Sequence, residues 1–365
     1  MLQARLDGLR AMMTDQGLDA VALVPGNAFR YFLGPDMPFL ERPTVVVIDR
    51  QGGSKAVIPA IERATWQKVK LDGDTSYWRD EDGYAGIFAA QRGQVNARRI
   101  GVESFRMRVA ELNALQSMVP DAEIVPIHTQ LWELRSCKDA SEIDMIRRAV
   151  CASEEAIRST LEEVRVGMSE MDVKAILQGH ITSCSGIGIT GELLVLAGDN
   201  SARPHGRSRM DYRIRKGDAL LIDFAATCEG YCSDVTRTAF VGAMSDEQHR
   251  LYDTVLRANE IGRGLVRPGV SAHEVDDVVQ SFLEASPFRD FIVHKTGHGL
   301  GLDVHELPHL MRGNHTPLAQ GNVVTVEPGL YKPGEIGVRI EDVLAVTEND
   351  REELSTFTRE PLVVG

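Results

Sequence analysis

No stretch of this 365-residue sequence is apolar for long enough to read as a membrane-spanning helix, and no stripe of Lys and Arg runs along it. The first lack argues against a helical membrane protein. The second, with 53 acidic against 40 basic residues and a formal net charge of −13, argues against nucleic acid or an anionic membrane as partner. A cationic ligand such as a metal is compatible with that balance. Cysteine is scarce: Cys137, Cys151, Cys184, Cys228 and Cys232 are odd in number and irregular in spacing. No disulfide framework is expected from them, and a reducing compartment is. Cys228 and Cys232 form one C-x3-C pair with no second pair, so they read as small half-buried thiols rather than zinc ligands. Low-complexity segments and short-period repeats are missing too. The opening "MLQARLDGLRAMM" sets Leu2, Leu6, Leu9 and Met13 among charges, as an amphipathic helix does and a signal peptide does not. A cytoplasmic protein is the expectation.

What is present suits a soluble chain of two domains, with 43% hydrophobic and 25% charged residues. Up to about Ile127, short strand-like runs ("LDAVALV", "PTVVVID", "SKAVIPA", "RRIGVE", "AEIVPI") alternate with helical patterns such as that around "RVAELNALQSM". An α/β domain over residues 1–130 follows. The pattern then changes. Asp139 or Ser141 can cap a helix whose Ile143, Ile146, Ala149, Ala152, Ile157 and Leu161 recur at helical spacing until Gly167. A second domain over residues 131–365 is expected, with helices before and after a hairpin and a strand-rich end.

The chemistry-bearing residues collect in that second part. "DALLIDFAATCEGYCSDVTRTAFV" reads as a β-hairpin. A two-residue turn at Cys228-Glu229 would put Asp223 directly opposite Asp234 with both side chains on one face. Like charges so placed repel, and they persist only if solvent screens them or a cation lies between them. "HKTGHGLGLDVHELPH" offers His294, His298, His305 and His309 among glycines that permit close backbone approach. "NVVTVEPGLY" ends a buried-looking strand on Glu327, and "GVRIEDVLAV" puts Arg339 and Glu341 on one strand face opposite Ile340. An individual Asp, Glu or His is usually a surface or structural group. Five acidic or imidazole groups in apolar or Gly-rich contexts cannot all be buried unpaired without severe desolvation cost. Shared divalent cations with a preference for oxygen donors resolve that cost.

"HELPH", His305 to His309, matches the H-E-x-x-H pattern of zinc proteases, which requires both His on one helix face. Pro308 inside that helix would remove a hydrogen bond and clash with the preceding turn, at about 3 kcal/mol. The zinc-protease reading is set aside on that ground. "GHGLG" lacks the spacing and following helix of a nucleotide loop.

Together "LLIDFAATCEGYCSDVTRT", "HKTGHGLGLDVHE", "VTVEPGLY" and "VRIED" resemble the proline-specific metallopeptidases of the pita-bread fold, the prolidases and Xaa-Pro aminopeptidases. The likeness runs from about Leu131 to the C-terminus, with an N-terminal α/β domain like the family's smaller one. It implies an α+β pita-bread catalytic domain holding two divalent ions on Asp223, Asp234, His298, Glu327 and Glu341, with Asp234 and Glu341 bridging. Mn²⁺ is favoured by the mainly carboxylate donors, with Co²⁺ or Zn²⁺ as alternatives. His294, His305 and Arg339 match the family's remaining active-centre positions, and His205 the His near its substrate pocket. Two departures stand out. Ala225 replaces a usual Gly, and His309 stands where some prolidases carry a residue suited to the substrate carboxylate.

The implied reaction is hydrolysis of the bond between an N-terminal residue and proline. Glu327 passes a proton from water to the departing nitrogen, His294 and His305 donate to the oxyanion, Tyr331 assists, and Arg339 holds a ligand carboxylate. The short "EPGLYKPGEIGVRIE" segment resembles the prolidases more than the long aminopeptidases, so a dipeptide substrate is expected. Its free carboxylate would then need a donor, for which His205, His294 and His309 are the candidates. A small peptide substrate and a homodimer are the partners implied. The alternatives are an Xaa-Pro aminopeptidase on longer peptides, or a metal-dependent hydrolase or lyase of another small amide or zwitterion.

Overall fold

The computed structural model describes residues 2–365, in two compact units that meet in sequence at Arg135 and Ser136. The first is a six-stranded mixed sheet. From edge to edge its strands are Gly73–Trp78, Ser54–Pro59, Val45–Asp49, Ala20–Leu23, Arg99–Val102 and Glu123–Pro126. Ala20–Leu23 is buried along its whole length, which explains why that run is continuously apolar rather than alternating. Ala20, Ala22, Val45, Val47 and Ile100 pack on Leu115 and Met118 of helix Val109–Met118. The edge strand Gly73–Trp78 was not legible in sequence, because "GDTSYW" is polar and half exposed and carries no apolar period.

In the second unit, helix α1 (Ala140–Glu163) starts at Asp139, whose carboxylate accepts from the Ser141 and Glu142 amides while Glu142 reaches back to the Asp139 amide. Such a capping box contributes about 1 kcal/mol. Helices α2 (Glu170–Ser183), α3 (Asp246–Leu265) and α4 (Ala272–Glu284) each begin on a serine cap. Two sheets carry the site. One runs, in spatial order, through Leu362–Val364, β3 (Val235–Val241), β2 (Ala219–Cys228) and β1 (Ile187–Ala197). The other runs through β5 (Glu306–Leu310), β4 (Gly297–Gly299), β6 (Val323–Val326), β9 (Asp342–Val346) and Arg351–Glu353. A two-stranded ribbon, β7 (Gly329–Lys332) with β8 (Ile336–Arg339), links β6 to β9.

A buried polar network ties the sheets together behind the site. Arg237 donates to the carbonyls of Thr236, Glu341, Phe357 and Thr358 and to Asp342 Oδ1 at 2.8 Å. Asp342 also accepts from Asn259 and Arg359, each at 2.9 Å. A guanidinium can be buried at this cost only when its donors are satisfied, as they are here. The consequence is that Thr236, on β3, and Glu341, just before β9, are fixed relative to each other; the Glu341 amide donates to Thr236 O at 3.1 Å.

Candidate metal centre

The hairpin of β2 and β3 does not turn where the sequence reading put it. Glu229 and Gly230, with φ of 47° and 78°, occupy the turn, and Cys228 pairs with Tyr231. Asp223 therefore lies opposite Thr236, not Asp234. Positive φ at both central residues is what a type I′ turn demands, and Gly230 meets it without strain. Since the slip is two residues, the face is unchanged: Asp234 and Thr236 are two apart and share Asp223's side. The two carboxylates are diagonal neighbours.

Close packing on the second sheet follows from its glycines. A Cβ on Gly297 would collide with the Thr325 carbonyl, and one on Gly299 with that of Leu307. His298, between them, is nearly buried. Its Nδ1 donates to Gly299 O at 3.0 Å, leaving Nε2 to face Glu327 Oε1 at 3.2 Å and Asp234 Oδ2 at 3.7 Å. One ligand-type atom from each of Asp234, His298 and Glu341 falls within 4.8 Å of the others. Thr236 Oγ1 donates to Glu341 Oε2 at 2.6 Å. Arg339 completes the frame, donating from Nε to Thr236 Oγ1 at 3.0 Å, from Nη1 to Tyr331 Oη at 2.7 Å, and from Nη2 to Asp223.

Asp223, Asp234, His298, Glu327 and Glu341, with His205, His294, His305 and Arg339, line one cavity of about 830 Å³. Tyr331 is buried beside it. His294 Nδ1 donates to Lys295 O at 2.8 Å, so in the neutral ring that burial favours, Nε2 accepts from Tyr331 Oη at 2.8 Å. Both nitrogens are thus engaged, and His294 could donate to a substrate only by exchanging one of these bonds. His305 is at the open side with its ring 4.3 Å from that of His298; burial and the His298 charge hold its pKa down at about 4. His205 is exposed at the rim. His309 does not line the cavity, and burial keeps it neutral, with a pKa of about 4.

Electrostatics test whether this set fits divalent ions. Burial first, then the Asp223 charge, push Asp234 up to about 8, and burial with Asp234 and Glu327 raises Glu341 well above the carboxylate range. Burial also works to raise Glu327, but the hydrogen bond and charge of His298 hold it at about 2. Protons on two carboxylates are what a crowded anionic cluster takes up when no cation is there to share. Four carboxylates and an imidazole suit a pair of hard or borderline divalent ions. The donor set fits.

Residues 306–310 form strand β5, so the H-E-x-x-H geometry does not arise. Glu306 turns away from the cavity into a buried ion pair with Lys138 at 2.9 Å. Three further residues of the site went unread in the sequence. Thr236 and Thr325 hold Glu341 and Glu327 by hydrogen bonds, Thr325 Oγ1 being 3.4 Å from Glu327 Oε1. Lys295 lines the cavity. The threonines' signal was their place two residues from a ligand on the same strand face, as in "SDVT" and "TVE".

The sequence matches the family model described as metallopeptidase family M24 over residues 144–348, and that of the creatinase/prolidase N-terminal domain over residues 5–137. It is 32% identical over 363 residues to the uncharacterized peptidase YqhT of Bacillus subtilis, covering 99% of this chain and 100% of that protein. It is 34% identical over 240 residues to the Xaa-Pro dipeptidase of Pyrococcus furiosus, covering 66% of this chain and 69% of the other. Among solved structures, a recombinant prolidase from Thermococcus sibiricus superposes with a TM-score of 0.94 at 29% identity, covering 100% of this chain and 99% of that one. Among the described residues no helix is long and apolar enough to cross a membrane.

Proposed function

The chain belongs to metallopeptidase family M24, and from that premise we propose that it is a divalent-metal-dependent Xaa-Pro dipeptidase. The observation that carries this reading is the clustering of Asp234, His298 and Glu341 ligand atoms within 4.8 Å, beside Glu327 and Asp223, at the floor of one cavity. Likeness to proteins named Xaa-Pro dipeptidase and prolidase supports the choice of substrate.

Asp223, Asp234, His298, Glu327 and Glu341 would hold the ions, Mn²⁺ by preference for a mainly carboxylate set. When bound, two such ions polarise a scissile carbonyl and lower the pKa of an attacking water. The remaining work falls to the chain. Glu327, held ionised by His298, takes the proton of the attacking water on a carboxylate oxygen and returns it to the proline nitrogen, which leaves only when protonated. His305, neutral and with no hydrogen-bond partner among the described residues, donates to the developing oxyanion from the open side. His294 joins it when its ring proton moves from Nδ1, giving up Lys295 O, to Nε2, which then donates to a substrate oxygen in place of accepting from Tyr331. Arg339 keeps Asp223 and, through Thr236, Glu341 in their places. His205 contributes to the rim of the substrate pocket. A cytoplasmic homodimer completes the proposal, the five cysteines all being free thiols as a reducing compartment allows.

The test is kcat/KM of the Mn²⁺-loaded enzyme on Ala-Pro, Ala-Ala, Pro-Ala and Ala-Pro-Ala. Ala-Pro is expected to exceed Ala-Ala and Pro-Ala by about 100-fold or more, and the tripeptide by about tenfold. Equal rates on Ala-Ala would remove the proline requirement. Equal rates on Ala-Pro-Ala would make the activity an Xaa-Pro aminopeptidase.

A further inference from the structure

A dipeptide carries its own carboxylate into the cavity, and burying that charge calls for a cationic or donating partner on the protein. Arg339 is buried and its charge is already paired with Asp223, with further bonds to Thr236 and Tyr331. His294 spends both ring nitrogens on Lys295 O and Tyr331. His309 is neutral and off the lining, and His205 is exposed. Lys295 remains. Besides Arg339 it is the one Lys or Arg lining the cavity among the described residues, it is only partly exposed, and its ammonium has no acidic partner within ion-pair distance in the structure.

The backbone of residues 294–296 is held at four points, one of them the lysine's own carbonyl. Gln280 donates to His294 O at 3.1 Å, His294 Nδ1 to Lys295 O at 2.8 Å, the Thr296 amide to Asp276 Oδ1 at 2.8 Å, and the Glu327 amide to Thr296 O at 2.8 Å. The last of these joins the backbone of the residue after the lysine to the backbone of Glu327. A long side chain on a fixed root can reach a carboxylate a set distance from the scissile bond while losing little further freedom. Burial works against the Lys295 charge while Glu327 and Asp276 favour it only at a distance, so a ligand carboxylate that meets the ammonium offsets a cost the cavity leaves open.

Resting on the peptidase reading above, we propose that Lys295 is the specificity-determining residue that pairs with the free C-terminal carboxylate of the substrate and so selects dipeptides. A charge-assisted contact of this kind distinguishes acid from neutral amide by about 10- to 100-fold.

The experiment compares wild type, Lys295→Met and Lys295→Arg, all Mn²⁺-loaded, on Ala-Pro against its C-terminal amide and on Ala-Ala against its amide. Wild type is expected to favour the acid of each pair by about 10- to 100-fold. In Lys295→Met the ratio falls to within about threefold, the loss lying mainly in KM, and Lys295→Arg restores most of it. Retention of the wild-type ratio by Lys295→Met overturns the proposal, as does a wild type that does not discriminate acid from amide. A clamp seen equally with Ala-Pro and Ala-Ala, without preference for proline, removes the proline reading and leaves Lys295 in its role. No turnover of any of the four peptides overturns both.

Discussion

Asp234→Ala and Glu341→Ala are each expected to reduce Ala-Pro turnover by about three orders of magnitude or more and to purify with less bound metal. The ligand atoms of both residues converge with one of His298, and these are the two carboxylates proposed to serve both ions. Losing either removes a donor and also a negative charge that offsets the cations. The fold should survive. Asp234 is buried beside Asp223 and burial first pushes its pKa to about 8, so deleting it removes a carboxyl whose ionisation the metal-free protein resists. Glu341→Ala costs the Thr236 hydrogen bond, about 1 kcal/mol, but leaves the Arg237 and Asp342 network that holds the sheets. Metal content by atomic emission, thermal melting and kcat on the same preparations check this. Full occupancy with normal turnover in either variant would take that residue out of the site.

His305→Ala is expected to keep its metal while turnover falls by about 10²-fold, and His309→Ala to keep most of both. The contrast follows from placement. His305 lies at the open side of the cavity with its ring against that of the proposed ligand His298, where a neutral donor can reach the substrate. His309 is four residues on along strand β5 and outside the lining. A zinc-protease helix would bring both to one ion, and equal metal loss from the two variants would revive it.

Local signals were legible in the sequence where they acted alone. The Asp139 cap, the five apolar strands of the first unit and the glycines flanking His298 each follow from a few adjacent residues and a steric or hydrogen-bonding rule. The like-charge argument also led to the right face for Asp223 and Asp234, because a slip of two residues preserves the side on which a strand's side chains point. What failed was the turn itself: Glu229 accepts φ of 47°, a conformation uncommon outside Gly and Asn, so Cys228-Glu229 and Glu229-Gly230 could not be ranked by spacing. Long-range pairs were out of reach. Lys138 meets Glu306 and Arg237 meets Asp342 only because the sheets bring them together, and no periodicity encodes that. Lys295 was overlooked for a related reason: beside His294 it looks like an ordinary surface lysine until the cavity is formed around it.

A two-ion hydrolytic centre in this carboxylate cluster makes activity and metal content rise together. Its most direct measurement is stepwise return of Mn²⁺ to chelator-stripped protein while Ala-Pro hydrolysis and bound metal are followed together. Negligible activity is expected without metal, with a rise that reaches its plateau at about two ions per chain. Full activity in the stripped protein, or metal uptake with no gain in Ala-Pro turnover, would contradict it.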